Sequence, residues 1–366
     1  MAKKKPKAKW LAIVCAYRKE ETGLQATIDS VAKSAGAGVK VFAVEDKDLS
    51  GPGANRHRGI EAAKGAEVIC IIDAHMKFRG GVIRKMADRV RKEGGLLQPF
   101  CHHNPECSYS VNTVTGAAYY AGARVVYRAK DDRQYTALGC KWSRDKKPGP
   151  RGGIMGACYV FRRDWYYDVG QPLSVLTGWG CDESLLSIAA WMSGHTPEVI
   201  NGHVAHLYRA KTPWKVTDRE KENVWMSRLA LIHCVVSDLT ARQELDRWTR
   251  QSGLTAKPYV PTPEAERFRL ALLKQPRSWR EWRDQVCEPE EIDGKQKGMP
   301  NVAVNRKVTR ARPRPNPMAL RAGIRCPHCK TAHDTNLKVV NVYQNGNKRH
   351  ICPVCRNPFM SFKARA

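Results

Sequence analysis

Strand-like and helix-like segments alternate through the first hundred residues of the chain. Three short apolar runs, at residues 10–17, 39–46 and 66–75, have the length and composition of buried strands. A segment with apolar residues at helical spacing follows each of them. In such an alternation each helix connects two parallel strands of one sheet. The sequence therefore predicts an α/β fold with a Rossmann-like, doubly wound sheet.

A polar cluster lies at the carboxyl end of each of the three runs. The clusters are Ala16-Tyr17-Arg18 at the end of the first run, Glu45 and Asp46 at the end of the second, and Asp73 and His75 at the end of the third. Ligands of open α/β sheets bind outside the carboxyl ends of the strands, so these side chains are expected to converge on one binding edge. For Asp73, an N-cap of the following helix is the alternative interpretation.

Beyond residue 100 the pattern is less regular. The sequence predicts loops and short strands at 101–152, a strand and a short helix at 152–170, a helix that opens with Asp182 and Glu183, two short strands at 195–209, and helices at 217–250. After a basic tail at residues 1–9, residues 10–255 are thus predicted to form one domain, in which the helices at 217–250 are a helical extension.

The segment at residues 256–323 is interrupted by prolines. From Asn305 to Arg325 inclusive, the chain holds seven Lys or Arg and no acid. This composition predicts an extended basic linker.

Two Cys-x-x-Cys pairs lie in the last forty residues. They are Cys326 with Cys329 and Cys352 with Cys355, and 22 residues separate the two pairs. Four thiolates suit the tetrahedral preference of Zn²⁺, which would stabilise a segment too small for its own core. His328, His333 and His350 are alternative ligands, and redox-active pairs are another interpretation, although no thioredoxin-like pattern surrounds them. Residues 324–366 are therefore predicted to form a small zinc ribbon.

The chain has 63 Lys and Arg against 35 Asp and Glu, a formal charge of +28. Such a surface attracts polyanions, of which nucleic acid is favoured over an anionic membrane or an acidic protein. No run of about 18 apolar residues is present, and the apolar stretch after the first lysines lacks a cleavage site, so neither a membrane span nor a signal peptide is predicted. The odd count of thirteen cysteines indicates reduced thiols and a cytoplasmic location.

Six strings, in order, resemble the motifs of GT-A-fold glycosyltransferases, closest to family 2 and to the polypeptide N-acetylgalactosaminyltransferases. VCAYRKEETGL is similar to the first strand with its Pro-Ala-Tyr-Asn-Glu turn. ANRHRGIEAAKG with ICIIDAH resembles the Ala-Arg-Asn-x-Gly helix and the Asp-x-Asp or Asp-x-His metal motif. GGIMGACYVFRRDWYYDVG resembles the Gly-Gly acceptor-side strand, GWGCDESLLSIAAWMSG resembles Trp-Gly-Gly-Glu-Asn/Asp, and VAHLYR resembles Val-Gly-His-Val-Phe-Arg. The resemblance covers about the first 210 residues and implies a mixed GT-A sheet and a transferase that uses a nucleotide sugar.

The resemblance also implies a divalent metal ion that bridges the diphosphate of the nucleotide sugar. Asp73 and His75 would supply a carboxylate and an imidazole, and His206 would be the third ligand. Without the resemblance, His206 would be interpreted as an ordinary histidine at a strand end. Mixed oxygen and nitrogen ligation suits Mn²⁺ better than Mg²⁺. The ion would neutralise charge on the departing diphosphate.

By the same resemblance, the nucleotide is expected along the first two strand ends. Tyr17 would stack on the base, and Asp46 or Glu45 would accept a hydrogen bond from a uracil imide, so that the expected donor is a UDP-sugar. Arg56 and Arg58 are candidates for phosphate or ribose contacts, with a solvated helix face as the alternative.

The acidic pair in the later helix departs from the family pattern at Cys181 and Asp182. If Glu183 takes the place of the family's Asp, it is the candidate base for an acceptor hydroxyl, with inversion at the anomeric carbon. If it takes the place of the Asn, the chemistry is retaining and Glu183 orients the substrate. Trp179 is expected to pack under the acceptor or the sugar. The string CHHNPEC at residues 101–107 is a second candidate metal site, for which an ordinary loop is the favoured interpretation.

In place of the membrane anchor and lectin module of the N-acetylgalactosaminyltransferases, a basic linker and a zinc ribbon are expected here. This pairing is typical of nucleic-acid machinery, so the expected acceptor is a hydroxymethylated pyrimidine in double-stranded DNA, as in phage-type DNA glycosyltransferases. The sequence does not distinguish between two ways of reaching the base, which are base flipping and access through the major groove. One alternative is a cytoplasmic glycosyltransferase that acts on protein or glycan. The other is a nucleic-acid-binding protein on an inactive scaffold, against which the set Asp73, His75 and His206 argues.

Overall fold

The structure is a computed structural model of the 366-residue chain. It describes residues 10–103, 119–131, 134–208, 214–253, 258–292 and 295–296, and five short strands between residues 324 and 361. The strands are β1 (Leu11–Tyr17), β2 (Val39–Glu45), β3 (Val68–Ile72), β4 (Met76–Phe78), β5 (Leu96–His103), β6 (Tyr119–Tyr120), β7 (Ala123–Asp131), β8 (Gln134–Trp142), β9 (Gly149–Pro150), β10 (Cys158–Arg162), β11 (Glu198–His206), β12 (Glu291–Ile292), β13 (Lys295–Gln296), β14 (Ile324–Arg325), β15 (Ala332–His333), β16 (Val339–Val342), β17 (Lys348–Ile351) and β18 (Pro358–Ser361). The helices are α1 (Leu24–Ala35), α2 (Gly51–Ala62), α3 (Val82–Glu93), α4 (Arg163–Asp168), α5 (Asp182–Met192), α6 (Asp218–Val235), α7 (Leu239–Arg250), α8 (Pro263–Leu273) and α9 (Trp279–Gln285), with a 3₁₀ turn at Pro172–Val175.

A nine-stranded mixed sheet forms the centre of the fold. Its order is β2-β1-β3-β10-β5-β11-β4, with β6 beside β5 and β9 beside β11. β1 runs parallel to both β2 and β3, β10 lies antiparallel between β3 and β5, and β5 runs parallel to β11. The predicted α/β architecture with a mixed sheet is confirmed.

Helices cover both faces of the sheet because successive side chains of a strand point to opposite sides. In β1, Ala12 and Val14 join the core cluster to which α2, α5 and α6 contribute. Ile13 and Cys15 join the other cluster, to which α1 and α3 contribute. The sheet is therefore doubly wound, and its strands are apolar on both faces, as the sequence indicates.

The region at residues 101–152 differs from the predicted loops and short strands. β7 and β8 are nine-residue strands of one antiparallel hairpin, in a second sheet of order β13-β12-β7-β8. Ala137 and Leu138 of β8 are both buried, and Leu138 has a positive φ of 53°. This irregularity breaks the alternation of period two by which a strand is recognised in a sequence.

The two short strands predicted at 195–209 are one strand, β11. Its pairing with β5 shifts register between Val199 and His203. The Asn201-Gly202 dipeptide, which favours a turn, lies at this irregularity. The chain thus bulges there and continues as the same strand.

The predicted linker beginning at residue 256 is wrong over its first part. Residues 263–285 include α8 and α9, whose largest apolar side chains are fully buried: Phe268, Leu272, Trp279 and Trp282. Pro263 occupies the first turn of α8, where a proline costs no hydrogen bond, and Thr262 caps that helix by accepting from the N–H of Ala265. Pro263 therefore marks the start of a helix and not part of a linker.

The C-terminal strands form a two-stranded sheet, β14-β15, and a three-stranded sheet, β16-β17-β18. Each Cys-x-x-Cys pair follows a strand directly in the sequence, β14 in one case and β17 in the other. The four cysteines themselves, the basic tail and residues 297–323 lie outside the described residues. Within the described part of the chain, no helix combines the length and the apolar character needed to cross a membrane.

Candidate active site

The chain brings Asp73, His75 and His206 together at the end of β3. Asp73 follows the last residue of this strand, and its N–H donates to the carbonyl of Ala157 (2.9 Å). β4 starts at Met76, directly after His75, and pairs with the end of β11, so that Met76 lies opposite His206. Since a strand and not a helix follows Asp73, the N-cap interpretation is wrong.

The geometry of these three side chains fits one metal ion. Their ligand atoms all lie within 4.8 Å of one another. Nε2 of His206 is 3.1 Å from Oδ2 of Asp73, and two ligands at neighbouring octahedral positions with bonds of about 2.1 Å are about 3 Å apart. Oε2 of Glu21 is 3.3 Å from Nδ1 of His75, a position from which a carboxylate orients a ligating imidazole.

Asp73 is held in its charged form. Burial acts to raise the pKa of Asp73, but the hydrogen bond with His206 and the positive charge of Arg56 lower it by more. The pKa of this carboxyl therefore lies well below its usual range, and Asp73 is ionised at neutral pH.

Arg56 joins Asp73, His75 and His206, here called the metal trio, to the acidic pair of α5. Its Nη2 donates to Oδ1 of Asp73 (2.5 Å) and to the carbonyl of Gly156 (3.2 Å), and its Nη1 donates to Asp182. Arg56 is only 4% exposed and Asp182 only 5%. The solvated helix face considered for Arg56 is therefore wrong. Its guanidinium contacts two carboxylates of the protein instead of lying at the surface for a phosphate or a ribose.

Glu183 lies beside this network and is half-buried. Its Oε1 accepts from the N–H of Gly156 and from Nε1 of Trp142 (2.9 Å). Burial and the negative charge of Asp182 raise the pKa of Glu183 to about 8, against the lowering effect of these two hydrogen bonds. A Cβ atom at Gly156 would lie 3.0 Å from the same Oε1, so a larger residue there would crowd the carboxylate.

The strand ends predicted to hold the nucleotide lie side by side. Ala16 pairs with Val44 and Tyr17 with Glu45, and the N–H of Asp46 donates to the carbonyl of Tyr17 (2.8 Å). All of them lie on the edge that also carries Asp73, as predicted. The carboxylate of Asp46 accepts the N–H of Gly51 at the start of α2 (3.2 Å).

Arg18 contacts the helical extension instead of the strand ends. Its Nη1 donates to Glu220 of α6, and its guanidinium lies 4.7 Å from the ring centroid of Trp214. Arg58 forms an exposed ion pair with Asp48, with Nη2 2.5 Å from Oδ2. The solvated helix face considered for Arg58 therefore agrees with its position. Trp179 is 72% exposed and lies two residues before Cys181, which has a positive φ of 68° at the N-cap position of α5.

Four side chains at the site were not predicted. Glu21, Tyr120, Trp142 and Tyr208 lie around the metal trio and Glu183. Trp142 ends β8, whose irregularity hid the strand. Glu21 lies within VCAYRKEETGL, the one string that offered a signal for it, because its acids follow the first strand directly.

The string CHHNPEC begins in β5, and its last four residues lie outside the described part. His102 pairs with His203 of β11, with Nε2 2.7 Å from Nδ1. Burial and then the proximity of His203 lower the pKa of His102 to about 4. The three described residues of this string therefore lie in strand β5 and not in the ordinary loop that was the favoured interpretation, and the His102 side chain contacts the exposed His203.

No family model matches the chain. Polypeptide N-acetylgalactosaminyltransferase 3 of Drosophila melanogaster is 24% identical over 272 residues, which are 70% of this chain and 38% of that protein. Probable N-acetylgalactosaminyltransferase 9 of Caenorhabditis elegans is 30% identical over 136 residues, or 31% of this chain and 22% of that protein. The chain thus spans about a fifth to two fifths of the length of these relatives.

A solved structure is similar over most of the chain. The crystal structure of GalNAc-T7 with UDP, GalNAc and Mn²⁺ superposes with a TM-score of 0.54 and 15% identity, over 77% of this chain and 57% of that one. The chain has the fold of GalNAc-T7. This likeness supports the predicted GT-A architecture, and the candidate metal trio lies at the carboxyl edge of the shared sheet.

Proposed function

We propose that the protein is a metal-dependent glycosyltransferase that moves a sugar from a UDP-sugar to a hydroxyl on a modified DNA base such as 5-hydroxymethylpyrimidine. The convergence of Asp73, His75 and His206 within 4.8 Å carries the proposal. The names of the curated relatives support the enzyme class. The GalNAc-T7 structure, which contains UDP, GalNAc and Mn²⁺, supports the donor and the metal.

The donor would lie across the ends of β1, β2 and β3. Tyr17 would stack on the uracil beside Ala16, and Glu45 or Asp46 would accept a hydrogen bond from its imide. Asp73, His75 and His206 would hold Mn²⁺, or Mg²⁺ as the less suitable ion. The metal, when bound, supplies positive charge that stabilises the departing diphosphate.

Arg56 and Glu21 would orient the ligands without contacting the donor. Arg56 keeps Asp73 ionised through the 2.5 Å contact, and Glu21 would leave Nε2 of His75 as the ligand atom because it faces Nδ1. Asp73 must be charged and His75 must carry its proton on the correct nitrogen before an ion binds, and Arg56 and Glu21 would set these two states.

Glu183 would accept the proton of the acceptor hydroxyl. The bond between the anomeric carbon and the β-phosphate oxygen breaks with both electrons going to UDP, and the acceptor oxygen forms the new bond to that carbon. The acceptor proton passes to Oε of Glu183. Asp182 is paired with Arg56, which favours Glu183 over Asp182 for this role, and the exposed Trp179 would contact the sugar or the acceptor.

The DNA acceptor is proposed from the charge of +28 and from the predicted zinc ribbon at residues 324–366 with structural Zn²⁺ on Cys326, Cys329, Cys352 and Cys355. Phage-type DNA modification is the setting that this combination favours. From the odd count of thirteen cysteines we propose a reducing cytoplasm as the location of the protein.

A second candidate is a glycosyltransferase that acts on protein. The observation that favours it is the name of the Drosophila relative, a polypeptide N-acetylgalactosaminyltransferase. A third, a nucleic-acid-binding protein on an inactive scaffold, predicts no turnover of any UDP-sugar.

The test is turnover of UDP-sugars with Mn²⁺ and a panel of acceptors: duplex DNA with or without 5-hydroxymethylcytosine, and a Ser/Thr-rich peptide. We expect UDP release that EDTA abolishes and transfer to the modified duplex alone. Asp73→Ala should lose turnover yet keep its affinity for DNA, and the exposed Asp48→Ala is the matched control that should keep both. Transfer to the peptide alone would establish the second candidate, and full activity in EDTA would exclude the metal site.

A further inference from the structure

A basic loop lies beside the candidate active site, between β8 and β9. Its three exposed cationic residues, Arg144, Lys146 and Lys147, are here called the basic rim. The only acid in residues 143–151 is Asp145. The Asp145 carboxylate contacts Nη2 of Arg151 (3.4 Å) and the N–H of Lys147 (3.1 Å). The rim therefore presents positive charge outward while the one negative charge is engaged within the loop.

Arg151 holds this loop in shape. Its Nε donates to the carbonyl of Ala121 (2.9 Å), and its Nη1 and Nη2 donate to the carbonyls of Pro150 (2.9 Å) and Lys147. β9, at the end of the loop, pairs with β11, with Gly149 opposite Val199. The positions of the rim charges are thus tied to the central sheet.

An aromatic surface connects the rim to the metal trio. Trp142 is 43% exposed and packs 5.0 Å from the ring of Tyr120 and 5.6 Å from that of Tyr208. The guanidinium of Arg144 lies 5.6 Å from the centroid of Tyr120, and Tyr208 lies 4.3 Å from the ring of His206. The exposed indole of Trp142, which donates a hydrogen bond to Glu183, thus lies next to the cations of the basic rim.

We propose that Trp142 and the basic rim form the docking surface for a nucleic-acid strand, an inference that rests on the proposed DNA acceptor. A nucleotide offers a flat base and an anionic backbone, and this surface offers an aromatic face and cations beside it. A base extruded from the duplex stacks on Trp142, which brings its substituent to Glu183, while the flanking phosphates contact the rim. An acidic peptide would contact the charges of the basic rim but has no base to stack on the exposed indole of Trp142.

The experiment measures binding of a labelled single-stranded DNA to the full chain across a salt series. The rim variant is Lys146→Gln with Lys147→Gln. Its matched control is Lys64→Gln with Lys92→Gln, two exposed lysines before the amino ends of β3 and β5, at the opposite edge of the sheet. Because the rim variant no longer neutralises two phosphates, its log–log salt slope should be flatter by about 1.4, at roughly 0.7 per phosphate. Trp142→Ala should weaken binding on the order of tenfold with an unchanged slope, and Trp142→Phe should restore part of it.

A rim variant that matches the control pair in affinity and slope overturns the docking surface. Competition by polyglutamate as strong as by DNA of equal charge also overturns it, in favour of an acidic protein. UDP release by the unaltered protein with Mn²⁺ is measured on the same preparation. If the unaltered protein releases no UDP, the proposed function is overturned. If UDP release is intact but the rim and Trp142 variants bind DNA like the unaltered protein, the docking surface alone is overturned.

Discussion

The indole N–H of Trp142 donates a hydrogen bond to Oε1 of Glu183 across 2.9 Å. This bond joins the end of the β7–β8 hairpin to the first turn of α5. Glu183 has a pKa of about 8, because burial and the charge of Asp182 outweigh the stabilisation that the two N–H donors give its charged form. The protonation of the candidate base therefore depends on a partly exposed side chain that an acceptor can touch.

The first prediction is a rise of turnover with pH. A general base must be deprotonated, and a carboxyl with a pKa of about 8 becomes so as the pH rises from about 7 to 9. We expect kcat to follow this ionisation. Glu183→Gln should lower kcat by about 10²–10⁴-fold. The residual rate should no longer rise with the ionisation of this carboxyl. Initial rates of UDP release across the pH range, with acceptor at saturation, measure both.

Trp142→Phe is the matched variant for this profile. It removes a donor that favours the charged carboxylate, so the pKa of Glu183 should rise and the increase in kcat should move to higher pH. A profile that stays in place would mean that Trp142 does not tune Glu183. An unchanged kcat in Glu183→Gln would remove Glu183 from proton transfer and leave Asp182 as the candidate.

The second prediction concerns stability and compares two arginines on α2. Arg56→Ala leaves the carboxylates of Asp73 and Asp182 without their common cation, and Arg56 is 4% exposed. Breaking a buried ion pair by removing one partner costs about 3–5 kcal/mol. Arg58→Ala breaks an exposed pair with Asp48 and should cost about 0–1 kcal/mol. Urea unfolding of both variants without metal gives the two free energies, and equal losses would contradict the bridging role of Arg56.

The binding edge was predictable from the sequence because strand ends in a parallel sheet share one edge. Asp73 and Tyr17 follow apolar runs directly, so their placement required only the strand pattern. His206 was assigned through the resemblance, since nothing local marks the end of β11 as lying opposite Met76. Arg56 was expected at the surface because its burial depends on two acids, one 17 and one 126 residues away.

Other features were hidden by local irregularities. Leu138, with its positive φ, disturbs the alternation of β8, and Trp142 at the end of that strand was missed with it. Prolines led to the prediction of a linker where α8 begins at Pro263. In both cases the tertiary packing of apolar side chains decided the structure against the local signal.

The third prediction follows from the corrected boundary of the first domain. A chain that ends at residue 255 lacks α8 and α9, and thus exposes the core positions that Phe268, Trp279 and Trp282 fill. Each fully buried aromatic removed costs about 3–5 kcal/mol, so the truncated chain should not fold stably. A chain that ends at residue 296 keeps both helices and should show a cooperative thermal transition. Cooperative unfolding of the shorter chain would mean that α8 and α9 are dispensable.

The fourth prediction is about the C-terminal segment, for which zinc is proposed from the two Cys-x-x-Cys pairs. We expect one tightly held Zn²⁺ per chain in protein purified without added zinc, measured by elemental analysis. Cys326→Ser with Cys329→Ser should abolish the zinc while it keeps every basic residue of the segment. Zinc content that is unchanged in this variant would contradict the predicted ligands.

The same segment provides the sharpest separation between a DNA acceptor and its alternatives. Truncation before Asn305 removes the zinc ribbon together with the seven Lys or Arg from Asn305 to Arg325 inclusive. Binding to a labelled duplex should weaken, and the log–log salt slope should flatten by roughly 0.9 for each phosphate that the truncated chain no longer neutralises.

The Cys326→Ser, Cys329→Ser protein separates charge from folding, since it keeps the basic linker and should retain a steeper slope than the truncated chain. UDP release without acceptor should survive truncation, because Asp73, His75 and His206 all precede residue 210. Identical binding curves for the full and truncated chains would assign the ribbon to another partner, and the DNA acceptor would then depend on the basic rim and the overall charge.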